Sequence, residues 1–367
     1  MPPDAVIAKQ SPRLRNEAPK IFKSTDELQD HLLLGVSRTF ALTIPQLPAE
    51  LCRVVSNGYL LCRIVDTIED DPALDATQKR HYSRLFTAAV AGEADVGSFA
   101  QSLSGLLSTA TIPAEHELIQ LTPEVIKITH GFDGPQREAL ATCVRVMAEG
   151  MVYYQELDTH AGLASLADME KYCYYVAGVV GEMLTRLFCA YSPEIARNCA
   201  EMQRLSIAFG QGLQMTNILK DIWDDHERGA CWLPQETFSR HEFDLADMAP
   251  GQNDTGFEKG IDELIAIAHG CLKQALEYTL LIPAREAGIR SFCFLAIGMA
   301  ELTLRKIGDN KSDIHGKRVK ISRRSVQGVV AASRVAVHND FLLRALFTFC
   351  GRGLPSPPIP QGTIKQD

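Results

Sequence analysis

Apolar residues recur every three or four positions along most of this chain, with polar residues filling the opposite faces. That is the period of an amphipathic helix. Alternating β-branched runs closed by hairpin turns barely occur. The pattern predicts helices over 25–34, 38–44, 48–70, 76–91, 98–108, 114–129, 134–156, 168–190, 193–226, 234–239, 257–279, 283–308 and 321–349.

Asp71-Pro72 closes one of these, because proline disfavours helical geometry in the residue before it. Thr122-Pro123, Gly134-Pro135 and Ile282-Pro283 mark other joints, and 250–256 (PGQNDTG) reads as a loop. No long linker or fixed repeat divides the sequence. The expectation is a single all-α domain of antiparallel helices over 24–350, with a lead-in at 1–23 and a Pro-rich, polar tail at 351–367.

Composition narrows the class. Hydrophobic residues make up 46% and charged residues 22% of the 367, ordinary for a soluble globular chain. The net charge of −8 lacks the concentrated basic surface that nucleic acid requires, so no nucleic-acid partner is expected. The ten cysteines show no zinc-type spacing and suit a reduced, cytoplasmic compartment. No signal-peptide h-region opens the chain. No transmembrane anchor is expected either. The stretch 172–191 is broken by Glu182 and Arg186, and 341–350 is short and carries Arg344. The apolar residues of 329–349, with Arg334 and Arg344 among them, suit either a core-packed final helix or peripheral contact with a membrane.

Two acidic constellations stand out. In Tyr59-Leu-Leu-Cys-Arg63-Ile-Val-Asp66-Thr-Ile-Glu69-Asp70-Asp71, helical offsets of 4, 7 and 11 bring Tyr59, Arg63, Asp66 and Asp70 to within roughly 40° of one line. Glu69 joins them three residues after Asp66. In Gln214-Met-Thr-Asn217-Ile-Leu-Lys220-Asp221-Ile-Trp-Asp224-Asp225, offsets of 3, 7 and 11 align Gln214, Asn217, Asp221 and Asp225. Apolar residues cover the other faces of both. A single such motif is more often a solvated face. Two together, each set in apolar surroundings, call for a counter-charge. Magnesium takes one or two carboxylates and leaves its remaining positions to water and phosphate oxygens, so two facing acidic helices would clamp it onto a diphosphate.

These residues resemble the squalene and phytoene synthase family. Ser37-Arg38-Thr39-Phe40 is similar to its Ser-Arg-Ser-Phe motif, and the two acidic segments to its aspartate-rich motifs. Tyr172-Cys-Tyr-Tyr-Val-Ala-Gly178 is similar to its Tyr-Cys-His-Tyr-Val-Ala-Gly signature, with Tyr174 in place of the histidine. The likeness runs from about 30 to 330. It implies an all-α isoprenoid-synthase bundle around a central cavity. It implies that Asp66, Glu69, Asp70, Asp221 and Asp225 hold magnesium, and that Ser37, Arg38, Phe40, Tyr59, Arg63, Gln214, Asn217, Lys220 and Arg228 line the substrate site. Tyr172 would stand near the reacting carbons, although outside this signature it would read as a core tyrosine. Gly178, Gly181, Gly210 and Gly212 lie within helices, where each costs roughly 1 kcal/mol against alanine, so close helix approach or room for a prenyl chain is expected.

The resemblance also implies a reaction: two farnesyl diphosphates join through a cyclopropylcarbinyl diphosphate. Squalene formation would then use NADPH, whereas dehydrosqualene or phytoene formation would lose a proton. Ser291-Phe-Cys-Phe294-Leu-Ala-Ile297 and Gly316-Lys317-Arg318-Val-Lys320-Ile-Ser-Arg323 resemble segments of squalene synthases, the second linked to NADPH through Lys317, Arg318, Lys320 and Arg323. Phe294 falls to the substrate site by the same likeness. Gly298-Met299 and the Leu233-Pro234 ending depart from that branch. A terpene cyclase would lack the tyrosine signature and the basic segment, and a degenerate scaffold member would have lost an acidic motif.

Overall fold

A computed structural model describes residues 22–37, 39–249, 254–309 and 319–355. Among them every regular element is helical, and the only β-type pairing is an isolated bridge between Leu163 and Pro234. Helix starts follow local chemistry. Asp75 with Gln78, Asp133 with Gln136, and Ser165 with Asp168 form capping boxes that satisfy the first free N–H groups of their helices.

The first acidic helix, Ala49–Asp70, packs among Thr25–Val36, Gly134–Gln155 and Val179–Tyr191, and these share one hydrophobic core. The second acidic helix, Cys199–Lys220, lies along Thr255–Leu280 in the most extensive pairing of the described helices, and its last two turns (Met215, Ile218, Leu219) join a second core while Met202 and Leu205 stay in the first. Val176 and Phe209 are only partly buried and pack against both cores. The contact between the two cores is therefore apolar.

Several expected helices are divided. The 168–190 segment contains a π-turn at Tyr174–Gly178, where the N–H of Val179 reaches the carbonyl of Tyr174 five residues back. The 193–226 segment bends at Asp221, whose backbone (φ −107°, ψ 16°) leaves helical geometry. The i→i−4 ladder nevertheless continues through Asp221 N to Asn217 O and Asp225 N to Asp221 O, both 2.9 Å. The 321–349 segment is two helices, Arg323–Ala336 and Asp340–Cys350. Arg290, only 2% exposed, sets that break. It donates to the carbonyls of Ile282 (2.6 Å), Val337 (3.1 Å) and Leu280 (3.3 Å), and pairs with Asp340 (2.8 Å).

The helix Ala287–Asp309, not 172–191, is the described segment long and apolar enough to span a bilayer, but 78% of its most apolar window is buried inside the bundle. Its Glu301 is fully buried against His269 Nδ1 (2.9 Å), an arrangement suited to a protein interior.

The interior glycines mark close approach. A Cβ on Gly210 would lie 2.2 Å from the carbonyl oxygen of Ala177, and one on Gly181 would lie 2.2 Å from that of Ser206. Both obstacles are backbone and cannot rotate away. Gly210→Ala is therefore expected to destabilise by about 2 kcal/mol despite alanine's better helix propensity. Urea unfolding checks this, and an unchanged midpoint would contradict the contact.

Candidate functional site

The two acidic motifs, whose Asp70 and Asp225 are 155 residues apart in sequence, meet at one guanidinium. Arg228 Nη2 lies 2.5 Å from Asp225 Oδ1, and its Nη1 lies 3.7 Å from Asp70 Oδ1. Arg228 sits just past the short helix Ile222–Glu227, and Gly229 (φ +79°) lets the chain turn back immediately afterwards. The returning strand-like segment is pinned to the 159–164 loop. Cys231 N donates to Thr159 O (3.1 Å), Leu163 N to Leu233 O (2.9 Å) and Gln235 N to Leu163 O (2.7 Å).

That pinning places Trp232 flat against Tyr172, with ring centroids 4.0 Å apart and planes within 5°. Tyr154 stands edge-on to Tyr172 at 5.1 Å and donates its hydroxyl hydrogen to Asp168 O (3.1 Å). Tyr172 is 8% exposed. Burial first, then the charges of Glu69, Asp225 and Asp70, push its phenol well above its usual range. At neutral pH this phenol is a proton and hydrogen-bond donor. It stands within reach of the charges of acids from both motifs.

The carboxylates are crowded. Burial is the main cause that raises Asp66 to about 7, with Asp70 and Glu115 adding to it against the opposing pull of Arg63. Glu69 rises to about 8 through burial and the charges of Asp70 and Asp66, with Lys79 opposing. Asp225 rises to about 6 through burial, with Asp221 and Asp70 contributing against Arg228. Repulsion between Asp70 and Asp225 crosses from one motif to the other. Among the described residues, no three His, Cys, Asp or Glu side chains converge into a ready-made metal cage. The donor set still fits magnesium, which needs only one or two carboxylates at a time and fills its octahedron with water and phosphate oxygens. An acid cluster whose members hold protons too tightly lacks positive charge, and divalent ions with a diphosphate would supply it.

The other expected residues fall into groups. Ser37, Phe40 and Tyr59 come together. Ser37 Oγ accepts from Phe40 N (3.0 Å), the Phe40 and Tyr59 rings are 5.1 Å apart, and Tyr59 donates to Val36 O (3.4 Å). Arg63 pairs with Asp66 (3.6 Å) and Glu115 (2.6 Å). Lys220 pairs with Asp221 (2.9 Å) and reaches Asn217 Oδ1 (3.3 Å), and Gln214 is half-buried one turn earlier on the same helix.

Phe294 is placed differently from the substrate contact expected of it. It is fully buried in the second core, because its helix is wrapped on all sides. Lys320 and Arg323 are exposed, and neither pairs with the acidic motifs among the described residues. Arg38, Lys317 and Arg318 lie outside the described residues.

Four contributors were not picked out from sequence. Trp232 and Tyr154 needed the pinned loop to reach Tyr172. Glu115 lies 52 residues from its partner Arg63. Lys79 donates to the carbonyl of Glu69 at the end of the first acidic helix. Asp71, adjacent to the first motif, is structural. It is 1% exposed and accepts from Ala73 N (2.8 Å), Ser108 N (2.9 Å) and Thr111 Oγ1 (2.6 Å).

Comparison with known proteins places the chain in a family. Residues 33–325 match the squalene/phytoene synthase family. A squalene synthase of Gibberella zeae is 31% identical over 290 residues, covering 78% of this chain and 59% of that protein. One from Botryococcus braunii is 29% identical over 318 residues, covering 84% and 64%. The chain thus spans less than two thirds of the length of these relatives. A ligand complex of TcSQS superposes with a TM-score of 0.68 at 22% identity, over 89% of this chain and 96% of that one. A dehydrosqualene synthase complex superposes with a TM-score of 0.59 at 18% identity, over 84% and 94%. Both show the same fold.

Proposed function

The chain belongs to the squalene/phytoene synthase family, and from that premise we propose that it is a magnesium-dependent prenyltransferase that joins two farnesyl diphosphates and reduces the product to squalene. The observation that carries the reading is the single guanidinium of Arg228 spanning Asp70 and Asp225, which makes two distant acidic motifs one site beside Tyr172.

Bound magnesium would neutralise a diphosphate and make it a leaving group. The protein's own part is to hold that group and shelter what remains. Asp66, Glu69 and Asp70 would present carboxylates from one wall, and Asp221 and Asp225 from the other. Arg228 and Lys220 would move from their carboxylate partners onto phosphate oxygens, a site that suits both cations. Ser37, Tyr59 and Arg63 would position the second diphosphate one to two turns before the first acidic motif. The half-buried apolar residues where the two cores meet, Val176 and Phe209 among them, would take the prenyl chains and keep water from the cationic carbons.

In the first step, the bond from carbon to diphosphate breaks in one donor, and the double bond of the second attacks the carbon so exposed. A proton lost on closing the cyclopropane leaves with the help of a nearby oxygen. In the second step the remaining diphosphate departs, the cation rearranges, and a hydride ends the sequence. NADPH would supply that hydride.

Incubation of the purified chain with magnesium and farnesyl diphosphate, with and without NADPH, tests the branch. Squalene should form only with NADPH. Dehydrosqualene in both reactions would move the chain to the non-reducing branch, which the Leu233-Pro234 ending resembles. No condensation product in either would overturn the enzymatic reading.

A further inference from the structure

The last two described helices present an apolar surface that no other described residue covers. In Asp340–Cys350 the residues Leu343, Phe347 and Cys350 face the core. On the opposite side, Phe341 and Phe349 are 76% and 65% exposed, two turns apart on one stripe. Leu342 beside them is 40% exposed, and Val335, near the end of the preceding helix, is 68% exposed. Two phenylalanines left this open are unusual for a helix whose other face is so firmly seated.

The charge around them is equally one-sided. Residues 319–355 hold six Lys and Arg (Lys320, Arg323, Arg324, Arg334, Arg344, Arg352) against one acid, Asp340, in a chain whose net charge is −8. Asp340 is paired with the buried Arg290, and Arg344 is held bidentately by Glu277 (2.5 and 2.8 Å). Arg334 and Arg352 remain exposed at the two ends of the apolar stripe.

We propose that this elbow docks on an anionic lipid bilayer, with Phe341, Phe349 and Val335 entering the headgroup–acyl boundary and the arginines resting on acidic headgroups. An apolar stripe at shallow depth, rimmed by basic residues, is the pattern of an interfacial helix. A second copy of the chain fits less well, because a twofold contact here would bring the arginine rims of both copies together. The inference does not depend on the proposed reaction.

Flotation of the full chain with phosphatidylcholine vesicles, with and without phosphatidylglycerol, tests it. The wild type should float with the anionic vesicles, and less so as salt rises. Phe341→Ser/Phe349→Ser should lower the bound fraction about tenfold. Arg334→Glu/Arg352→Glu should abolish the preference for phosphatidylglycerol. Both variants should keep the wild-type melting temperature, and an Ala331→Ser control on the exposed side of the preceding helix should float like the wild type. Failure of the wild type to float would overturn the proposal, as would equal binding by the folded phenylalanine variant. A wild-type dimer dissolved by Phe341→Ser/Phe349→Ser would also overturn it and assign the face to a second copy.

Discussion

Asp66→Ala and Asp221→Ala should each lower kcat/KM for farnesyl diphosphate by at least about 10³-fold, on the order of 4 kcal/mol of transition-state stabilisation. The loss should come without unfolding. Asp66 is 29% exposed and crowded by Asp70 and Glu115, so its removal relieves repulsion, and Arg63 keeps its ion pair with Glu115. Asp71→Ala provides the contrast five residues away. It strips three hydrogen bonds from a buried carboxylate that ties the first acidic helix to the Ser108–Thr111 loop. That variant should lose about 3 kcal/mol of stability while its folded fraction keeps most of its affinity for metal and diphosphate. Thermal melting alongside steady-state kinetics checks both. Wild-type turnover in Asp66→Ala would remove this residue from the site, and an unchanged melting temperature in Asp71→Ala would contradict its structural role.

Tyr172→Phe is expected to lower turnover by about 10²-fold or more, because it deletes a phenol held protonated beside acids of both motifs. The ring stack on Trp232 survives that change, so stability should stay near wild type. Trp232→Ala attacks the same centre differently. It leaves the hydroxyl and removes the surface that fixes the ring, and some ring mobility should appear as a mixed product spectrum with a smaller loss of rate. Trp232→Phe should recover much of the selectivity. Product analysis by gas chromatography distinguishes these outcomes. Equal activity in Tyr172→Phe and wild type would show that the phenol has no chemical part.

Much of this was legible in the sequence for reasons that can be named. Helical period and proline placement identify the long helices, since Asp71-Pro72 and Gly134-Pro135 act within a few residues. The alignment of Asp66 with Asp70 and Arg63 follows from the turn of one uninterrupted helix. The bend at Asp221 was not legible, because the ladder hydrogen bonds persist across it and no glycine or proline marks it. The π-turn after Tyr172 seats Tyr175 over Gly150 of the preceding helix, where a Cβ would lie 2.1 Å from the ring, and no local sequence signal announces that contact. The break at 337–339 is set by Arg290, a buried cation that binds carbonyls from two segments, 280–282 and 337. Trp232 was passed over because an aromatic residue in a loop has no period to betray its target, and its partner is chosen by the pairing of 159–164 with 231–235.

The proposed reaction requires the two acidic walls to form a single seat for divalent ions and a diphosphate. Electron paramagnetic resonance of Mn²⁺, titrated into the protein with and without inorganic pyrophosphate, measures this directly. The wild type should bind Mn²⁺ tightly only when pyrophosphate is present, and Asp70→Asn and Asp225→Asn should each abolish that pyrophosphate-dependent signal. Tight, pyrophosphate-dependent binding that survives in either variant would contradict the shared site.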